Sequence, residues 1–479
     1  MKRKSLSALA LLAMVMSVIL PVNLPAQDKP TLKHLEGSWA GALKIQGMEL
    51  RIVMNIRFNE SDSMIVTLDS PDQGVNGIPT SNVQVREDSI FIYCRKISGK
   101  FMGRITRDPA TFDGTWSQSV LSLPLVLKHL EKKFTLNRPQ EPKPPFPYQI
   151  REVIFPNRAA GLDLAGTLTL PENKEHAPAV ILVSGSGPQN RDEEIMGHKP
   201  FWVLADFLTR NGIAVLRYDD RGCGKSGGVY KTASTLDFAT DAEAAFDFLK
   251  TQPGIDTLRI GIAGHSEGGI IGPIVASRRP EIAFLVLMAG PGFTGEQILY
   301  QQSALISRAE GANEKSVEEG LALSKQIYSI LKKTGDNEKA SEKITRIYRS
   351  YDKKHSADSG YRKMSDEMIS MQTETLTGNW FRCFLTLDPQ EYLIRVTCPL
   401  LAIAGSLDLQ VPPQENLRAI ESAMILGGNV RYQIKELPGL NHLFQTAVTG
   451  SPSEYGKIEE TVAPSALELI HQWIRSNVE

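Results

Sequence analysis

Between residues 32 and about 132, apolar and polar positions alternate in short runs. Ala42-Leu43-Lys44-Ile45, the segment Leu50 to Ile56, Met64-Ile65-Val66-Thr67-Leu68 and Ser89-Ile90-Phe91-Ile92-Tyr93 are examples, separated by Gly and Asp/Asn turns. Period two sends successive side chains to opposite faces, so the pattern predicts a small antiparallel β-barrel or sandwich. Gly37-Ser38-Trp39 near its start and Gly114-Thr115-Trp116 near its end are expected to pair and close it. From residue 149 the pattern changes. Ile150–Phe155 and Leu162–Leu170 read as strands, then unbroken apolar runs follow at Ala179–Val183, Ile213–Tyr218, Arg259–Ala263, Phe284–Ala289 and Leu400–Ala404, with a last strand at Val430–Glu436. Runs of that kind suit strands buried on both faces, and the stretches between them, such as Leu236–Leu249, have helical periodicity. The expectation is an α/β fold with a doubly wound, mostly parallel eight-stranded sheet.

One interval interrupts this alternation. Residues from about 294 to 378 carry helical stripes only: Val317, Leu321, Ser324, Ile327/Tyr328 and Leu331; then Ala340, Ile344, Ile347/Tyr348 and Tyr351; then Tyr361, Met364, Met368 and Met371. An insertion at the carboxyl end of a sheet strand covers the place where α/β ligands bind, which predicts a helical lid. The Met and Tyr stripe reads as core. Residues 137–148 hold five prolines and read as a stiff linker between the two regions.

Residues 1–26 join Lys2, Arg3 and Lys4 to an apolar run from Leu6 to Leu20 and end on Leu24-Pro25-Ala26. This predicts a secretory signal peptide, an exported chain (periplasmic or secreted) and no stable membrane span after its removal. Lys+Arg is 53 against Asp+Glu 54, which offers no basic excess for nucleic acid. The four cysteines, Cys94, Cys223, Cys383 and Cys398, show no Cys-x-x-Cys spacing, so neither a metal nor another cofactor is expected, and their pairing is open.

Chemistry concentrates at Gly264-His265-Ser266-Glu267-Gly268-Gly269, a G-x-S-x-G run that follows one predicted strand and precedes a helical stretch. Such a turn lifts a serine out of the sheet, and glycines on both sides remove Cβ atoms that would collide. A serine needs a base to take its proton. Of the histidines that follow, His355 lies in a charged helical run and His471 in the last amphipathic helix, both expected to be structural or solvated. His442 lies in a loop after the last strand. Asp408 follows the buried strand Leu400–Ala404 and is the candidate partner of His442, with Glu415 or Glu436 as substitutes should the acid lie elsewhere. The oxyanion is expected to meet two backbone N–H groups, one from Glu267 and one from the loop Ser184-Gly185-Ser186-Gly187-Pro188, placed at Ser186 with Gly187 as its neighbour. Gly222-Cys223-Gly224-Lys225-Ser226-Gly227 matches G-x-G-x-x-G, but no helix opens directly from it, so it reads as a tight loop rather than a nucleotide site.

On these residues the chain from about 150 onward resembles bacterial α/β-hydrolase esterases of the serine aminopeptidase and dienelactone hydrolase-like group. Matching stretches are Leu182 to Asp192, Leu216-Arg217-Tyr218-Asp219-Asp220-Arg221-Gly222, the Ser266 turn, Trp380-Phe381-Arg382, and the Asp408 and His442 loops. Ser184 departs from the His common at that place in many lipases. The resemblance implies a lidded α/β-hydrolase that cleaves small-molecule carboxylic esters through Ser266, His442 and Asp408. A serine aminopeptidase or dipeptidase on the same residues is the nearest rival, and a glycan-binding protein with a vestigial hydrolase region is a more distant one.

Overall fold

The computed structural model describes residues 32–45, 48–73, 75–107, 110–118, 121–132, 136–172, 175–357 and 363–478. The expected signal peptide and Tyr361 lie outside the described residues. Residues 37–130 form nine antiparallel strands: β1 (Gly37–Ile45), β2 (Met48–Phe58), β3 (Met64–Ser70), β4 (Val75–Pro79), β5 (Asn82–Arg86), β6 (Ser89–Cys94), β7 (Gly99–Arg107), β8 (Ala110–Gln118) and β9 (Leu121–Leu130). Their order is β4-β3-β2-β1-β9-β8-β7-β6-β5, a meander curled into a half-barrel with β4 and β5 as its edges. Alternation does the expected work in β3, where Val66 and Leu68 are buried and Ile65 is exposed. The closing pair differs from expectation. β1 and β8 do not pair with each other; β9 lies between them, Ser38 facing Leu130 and Gly114 facing Leu125. Trp39 and Phe112 still stack at 3.9 Å in the shared core.

The second sheet has eight strands: β10 (Tyr148–Asn157), β11 (Leu162–Pro171), β12 (Ala177–Val183), β13 (Ala214–Tyr218), β14 (Ile255–His265), β15 (Leu285–Met288), β16 (Leu400–Gly405) and β17 (Tyr432–Leu437). Their order is β10-β11-β13-β12-β14-β15-β16-β17. β11 runs antiparallel to β10 and β13, and the remaining pairings are parallel. The helices α1 (Pro200–Arg210), α2 (Thr235–Leu249), α3 (Gly268–Arg278), α4 (Gly295–Ala309), α5 (Glu314–Lys333), α6 (Asn337–His355), α7 (Asp366–Thr377), α8 (Asn379–Thr386), α9 (Gln390–Leu393), α10 (Pro413–Leu426), α11 (Pro452–Tyr455) and α12 (Pro464–Val478) complete it. α2, α3 and α10 pack on one face of the sheet, α1 and α12 on the other. Every residue of β12, β13 and β15 is buried, as two covered faces require. Strand order reverses at β12, whose two neighbours β13 and β14 follow it in the chain; this is the position where open α/β sheets bind ligands.

Helices α4 to α8 lie between β15 and β16 and share a core of Ile327, Tyr328, Leu331, Ile344, Tyr348, Ile369, Phe381 and Leu385. The first two expected stripes face this core. The third does so only in part, through Met364. Met371 is 65% exposed, and α7 buries Ile369, Thr373 and Thr377 instead. The Thr373 and Thr377 hydroxyls donate to the carbonyls of Ile369 and Thr373, each at 2.8 Å, so these polar residues can be buried without an unpaired group.

The Pro-rich segment is attached at its start rather than spanning free. Arg138 is buried and donates to the carbonyls of Met196, Gly456 and Ile458, while Gln140 bonds Thr461 and Val462. From the half-barrel, Arg51 pairs with buried Asp72 and also donates to the Gly456 carbonyl at 2.9 Å. The four cysteines are free, and no helix among the described residues is long and apolar enough to cross a membrane.

Candidate active site

β14 ends at His265, and the chain turns at Ser266 with φ +52°, a left-handed conformation that costs a non-glycine residue energy. Two bonds hold it there: the Ser266 amide donates to the Met288 carbonyl, and the Ser266 carbonyl accepts from Gly269, each at 2.8 Å. A Cβ at Gly264 would lie 2.0 Å from the Gly268 carbonyl, and one at Gly268 would lie 2.1 Å from that of Val183. These close backbone approaches are why glycine flanks the serine. Ser266 itself is half-buried at the carboxyl end of the sheet.

His442 and Asp408, in the loops after β17 and β16, meet each other. His442 Nδ1 lies 2.8 Å from Asp408 Oδ2, and both side chains are buried. A carboxylate there only accepts, so Nδ1 carries the proton and Nε2 keeps its lone pair. The second carboxylate oxygen of Asp408 accepts from the amides of Gln410 and Val411, both at 2.8 Å, which fixes the carboxylate plane. Neither Glu415 nor Glu436 takes this place. His355 is buried within α6 beside Glu319, and His471 packs edge-on against Phe207.

The loop after β12 supplies the other wall. Its Gly185 amide donates to Glu193 at 2.7 Å and its Gly187 amide to the Tyr230 hydroxyl at 3.0 Å. Among the described residues, the Ser186 amide has no such commitment, which favours it over Gly187 as a donor to a ligand. Gly185 approaches Ser266 closely: a Cβ on it would lie 3.1 Å from that of the serine. Ser184 and the Gln189 amide both bind Asp220, whose carboxyl is pushed up to about 8 by burial and by the charges of Glu267 and Glu193.

Three participants escaped the sequence reading. Glu193, buried at φ +51°, accepts from both Gly185 and His265 Nδ1, the latter at 2.9 Å. His265 Nε2 donates to the His442 carbonyl at 3.0 Å. Burial presses the His265 pKa down, but the charge and hydrogen bond of Glu193 outweigh it, and the net shift is upward. The Glu193–His265 pair thereby joins the β12 loop, the serine turn and the His442 loop. The third is the Glu267 side chain, also buried, which accepts from Thr235 at 2.6 Å and from the Trp380 indole at 2.9 and 3.0 Å. The signal was present, since His265 and Glu267 flank the serine and Glu193 follows the matched stretch ending at Asp192. What the sequence lacks is the pairing between them. The glycine-rich loop at 222–227 folds around Asp219, which accepts from the amides of Arg191 and Lys225, while Ser226 bonds the Asp219 carbonyl. It forms a tight turn.

Residues 200–444 match the family described as serine aminopeptidase, S33. An esterase of Thermotoga maritima, EstD, is 28% identical over 314 residues, 65% of each chain. A thiohydrolase of Aspergillus aculeatus is 37% identical over 112 residues, 23% of this chain and 32% of that one. The chain thus spans less than two thirds of the length of the curated relatives it matches. The α/β hydrolase GrgF of a Penicillium species superposes with a TM-score of 0.43 at 18% identity, over 69% of this chain and 99% of that one. With the family match covering half of the residues, including the Ser266 turn and reaching past His442, the chain belongs to the serine aminopeptidase (S33) family of α/β hydrolases.

Proposed function

We propose that this chain is an exported serine esterase acting on small carboxylic esters with short acyl groups. Ser266 attacks the ester carbonyl as His442 Nε2 takes its proton. Asp408 holds the imidazole in the required tautomer and stabilises its cation. The amides of Ser186 and Glu267 receive the oxyanion. The protonated His442 then donates to the leaving alcohol, and water, activated by the same nitrogen, releases the acid. The observation that carries the reading is the buried 2.8 Å His442–Asp408 bond, set beside a serine turn whose own neighbour, His265, binds the His442 backbone. The relative named as an esterase over 314 residues supports the bond class. A fluorophosphonate probe should label wild type and fail on Ser266→Ala; labelling that persists moves the nucleophile elsewhere.

The family description favours a second reading, aminopeptidase activity at the same residues. An alkoxide leaves more readily than an amine, so a site of this kind accepts esters first. Comparing kcat/KM for p-nitrophenyl acetate and butyrate with that for unblocked aminoacyl p-nitroanilides decides between them, and comparable values establish the peptidase. Export rests on residues 1–26: the mature N-terminus of the protein recovered outside the cytoplasm should follow Ala26.

A further inference from the structure

Glu267 poses a question that the hydrolytic mechanism leaves open. Only its backbone N–H has a use there, yet its side chain is a carboxylate at 2% exposure. Burying a charge is costly unless something pairs with it. Among the described residues, no cation forms an ion pair with it. The charged or titratable groups around it are Asp220, Tyr230 and Cys383, each pushed up in part by the Glu267 charge. A leucine or a glutamine would fill the space at lower electrostatic cost, so packing alone does not account for the carboxylate.

Its hydrogen bonds do. The Trp380 indole N–H sits in the fork of the carboxylate, 2.9 Å from one oxygen and 3.0 Å from the other. The Thr235 hydroxyl donates to the first oxygen at 2.6 Å. Thr235 is the first residue of α2 and is fully buried, a rigid anchor. Trp380 belongs to the lid, on α8, where it stacks on Phe384 with ring centroids 5.1 Å apart. The same part of the lid touches the segment before α2 twice more, through Lys231–Glu374 and through Asn379, which donates to the Thr232 carbonyl at 3.0 Å.

We propose that Glu267 is a positioning residue: its carboxylate, clamped between Thr235 and the lid's Trp380, fixes the direction of its own backbone N–H and makes that direction depend on the seated lid. This rests on the serine hydrolase reading above. The Gly269 bond to the Ser266 carbonyl already restrains the peptide plane that carries this N–H, and the bonds at the far end of the Glu267 side chain add a second restraint at the Cα beside it. An oxyanion donor displaced by a fraction of an ångström loses most of its value, because the benefit lies in preorganisation. The effect belongs to kcat, since the donor acts where charge develops in the transition state.

The test uses the full chain and p-nitrophenyl butyrate. Glu267→Leu keeps the bulk and removes both bonds; kcat should fall about 10²-fold, the scale of one oxyanion donor, with KM within about threefold. Glu267→Gln keeps an acceptor for Trp380 without the charge and should restore kcat to within about fivefold of wild type. Trp380→Phe removes the lid arm alone, should lower kcat about tenfold, and should add nothing further in the Glu267→Leu background, the mark of a shared path. A folded Glu267→Leu with wild-type kcat overturns the proposal. So does a Glu267→Gln as impaired as the leucine, which would make the charge and not the position the cause. Should Glu267→Leu show no cooperative unfolding transition, Trp380→Phe decides alone, and unchanged kcat there is equally fatal. Wild type that neither takes the fluorophosphonate label nor turns over ester overturns the hydrolase reading and this one with it; a labelled, active wild type beside an unaffected leucine variant overturns this one only.

Discussion

Left-handed backbone appears in both sheets, in opposite settings. In the half-barrel the non-glycine residues at positive φ, among the described residues, are Asp62, Glu87 and Ser98, all exposed and all in the turns between strands. Around the second sheet they include Glu193, Ser266, Ala289 and Phe444; three of these are buried, Ser266 is half-buried, and they cluster where strands end near the serine. The conformation costs about 1–2 kcal/mol in either place. In a hairpin it reverses the chain and nothing more. Near Ser266 surrounding structure enforces it: Glu193 is held by its bonds to Gly185 and His265, and Ser266 by Met288 of β15 and Gly269 of α3. Strain that is over-determined by its neighbours is the kind that marks a working site.

Paired substitutions can break that contrast. Ser266→Gly relieves the turn and removes the proposed nucleophile, so activity should fall about 10⁶-fold while the melting temperature holds or rises. Ser98→Gly relieves the same conformation and should leave kcat/KM unchanged; an activity loss there would mean that the half-barrel turns take part in the site. Asp408→Asn should lower kcat about 10⁴-fold in a folded protein, because the amide supports the wrong imidazole tautomer. For the glycines, Gly268→Ala drives a Cβ into the Val183 carbonyl and should cost about 4 kcal/mol in urea unfolding. Gly77→Ala, at φ +67° in open space, should cost only about 1 kcal/mol.

The junction between the two sheets gives smaller effects. His198 is fully buried against Thr461 and Tyr455, and burial, helped by the Arg138 cation, pushes its pKa down to about 4. Its unfolded value is near 6.5, so between about pH 6.5 and 4 the unfolded chain binds the extra proton. Stability therefore falls as the pH drops through that window, by up to about 3 kcal/mol, and His198→Asn should flatten the decline in melting temperature. Smallest of all, a chain beginning at Leu136 keeps the Arg138 and Gln140 bonds and should hydrolyse small esters within about threefold of the full chain. Starting at Phe146 discards those bonds and should lower the melting temperature further. A large loss of kcat in a folded Leu136 chain would show that the half-barrel shapes the site.

The sheet around Ser266 was legible because its cues are local. Unbroken apolar runs reported strands covered on two faces, and the serine turn declared itself through glycines with no room for a Cβ. Partners were harder. Period two states which face a residue takes but not which strand lies beside it, so Gly37-Ser38-Trp39 and Gly114-Thr115-Trp116 suggested a pair that β9 in fact separates. The Met stripe holds at Met364 and fails at Met371 for a related reason. Apolarity alone does not identify the buried face of α7, because Thr373 and Thr377 satisfy their hydroxyls on their own helix and go inside. Glu193, His265 and Glu267 stayed hidden because a buried charge can be recognised only together with the groups that bind it.

The lid's place in the chain also governs the order in which the molecule is made. β15 pairs with β16 in the register Leu285 to Leu400, so this one contact closes a loop of more than a hundred residues. Closing such a loop is entropically slow unless the intervening chain is already compact, and helices α4 to α8 have a core of their own to make it so. Ser266 lies before that loop; Asp408 and His442 lie after it. On the mechanism proposed above, the serine is therefore made before its acid and base, and the nascent chain should stay chemically silent until the inserted helices have collapsed and the last two strands have docked.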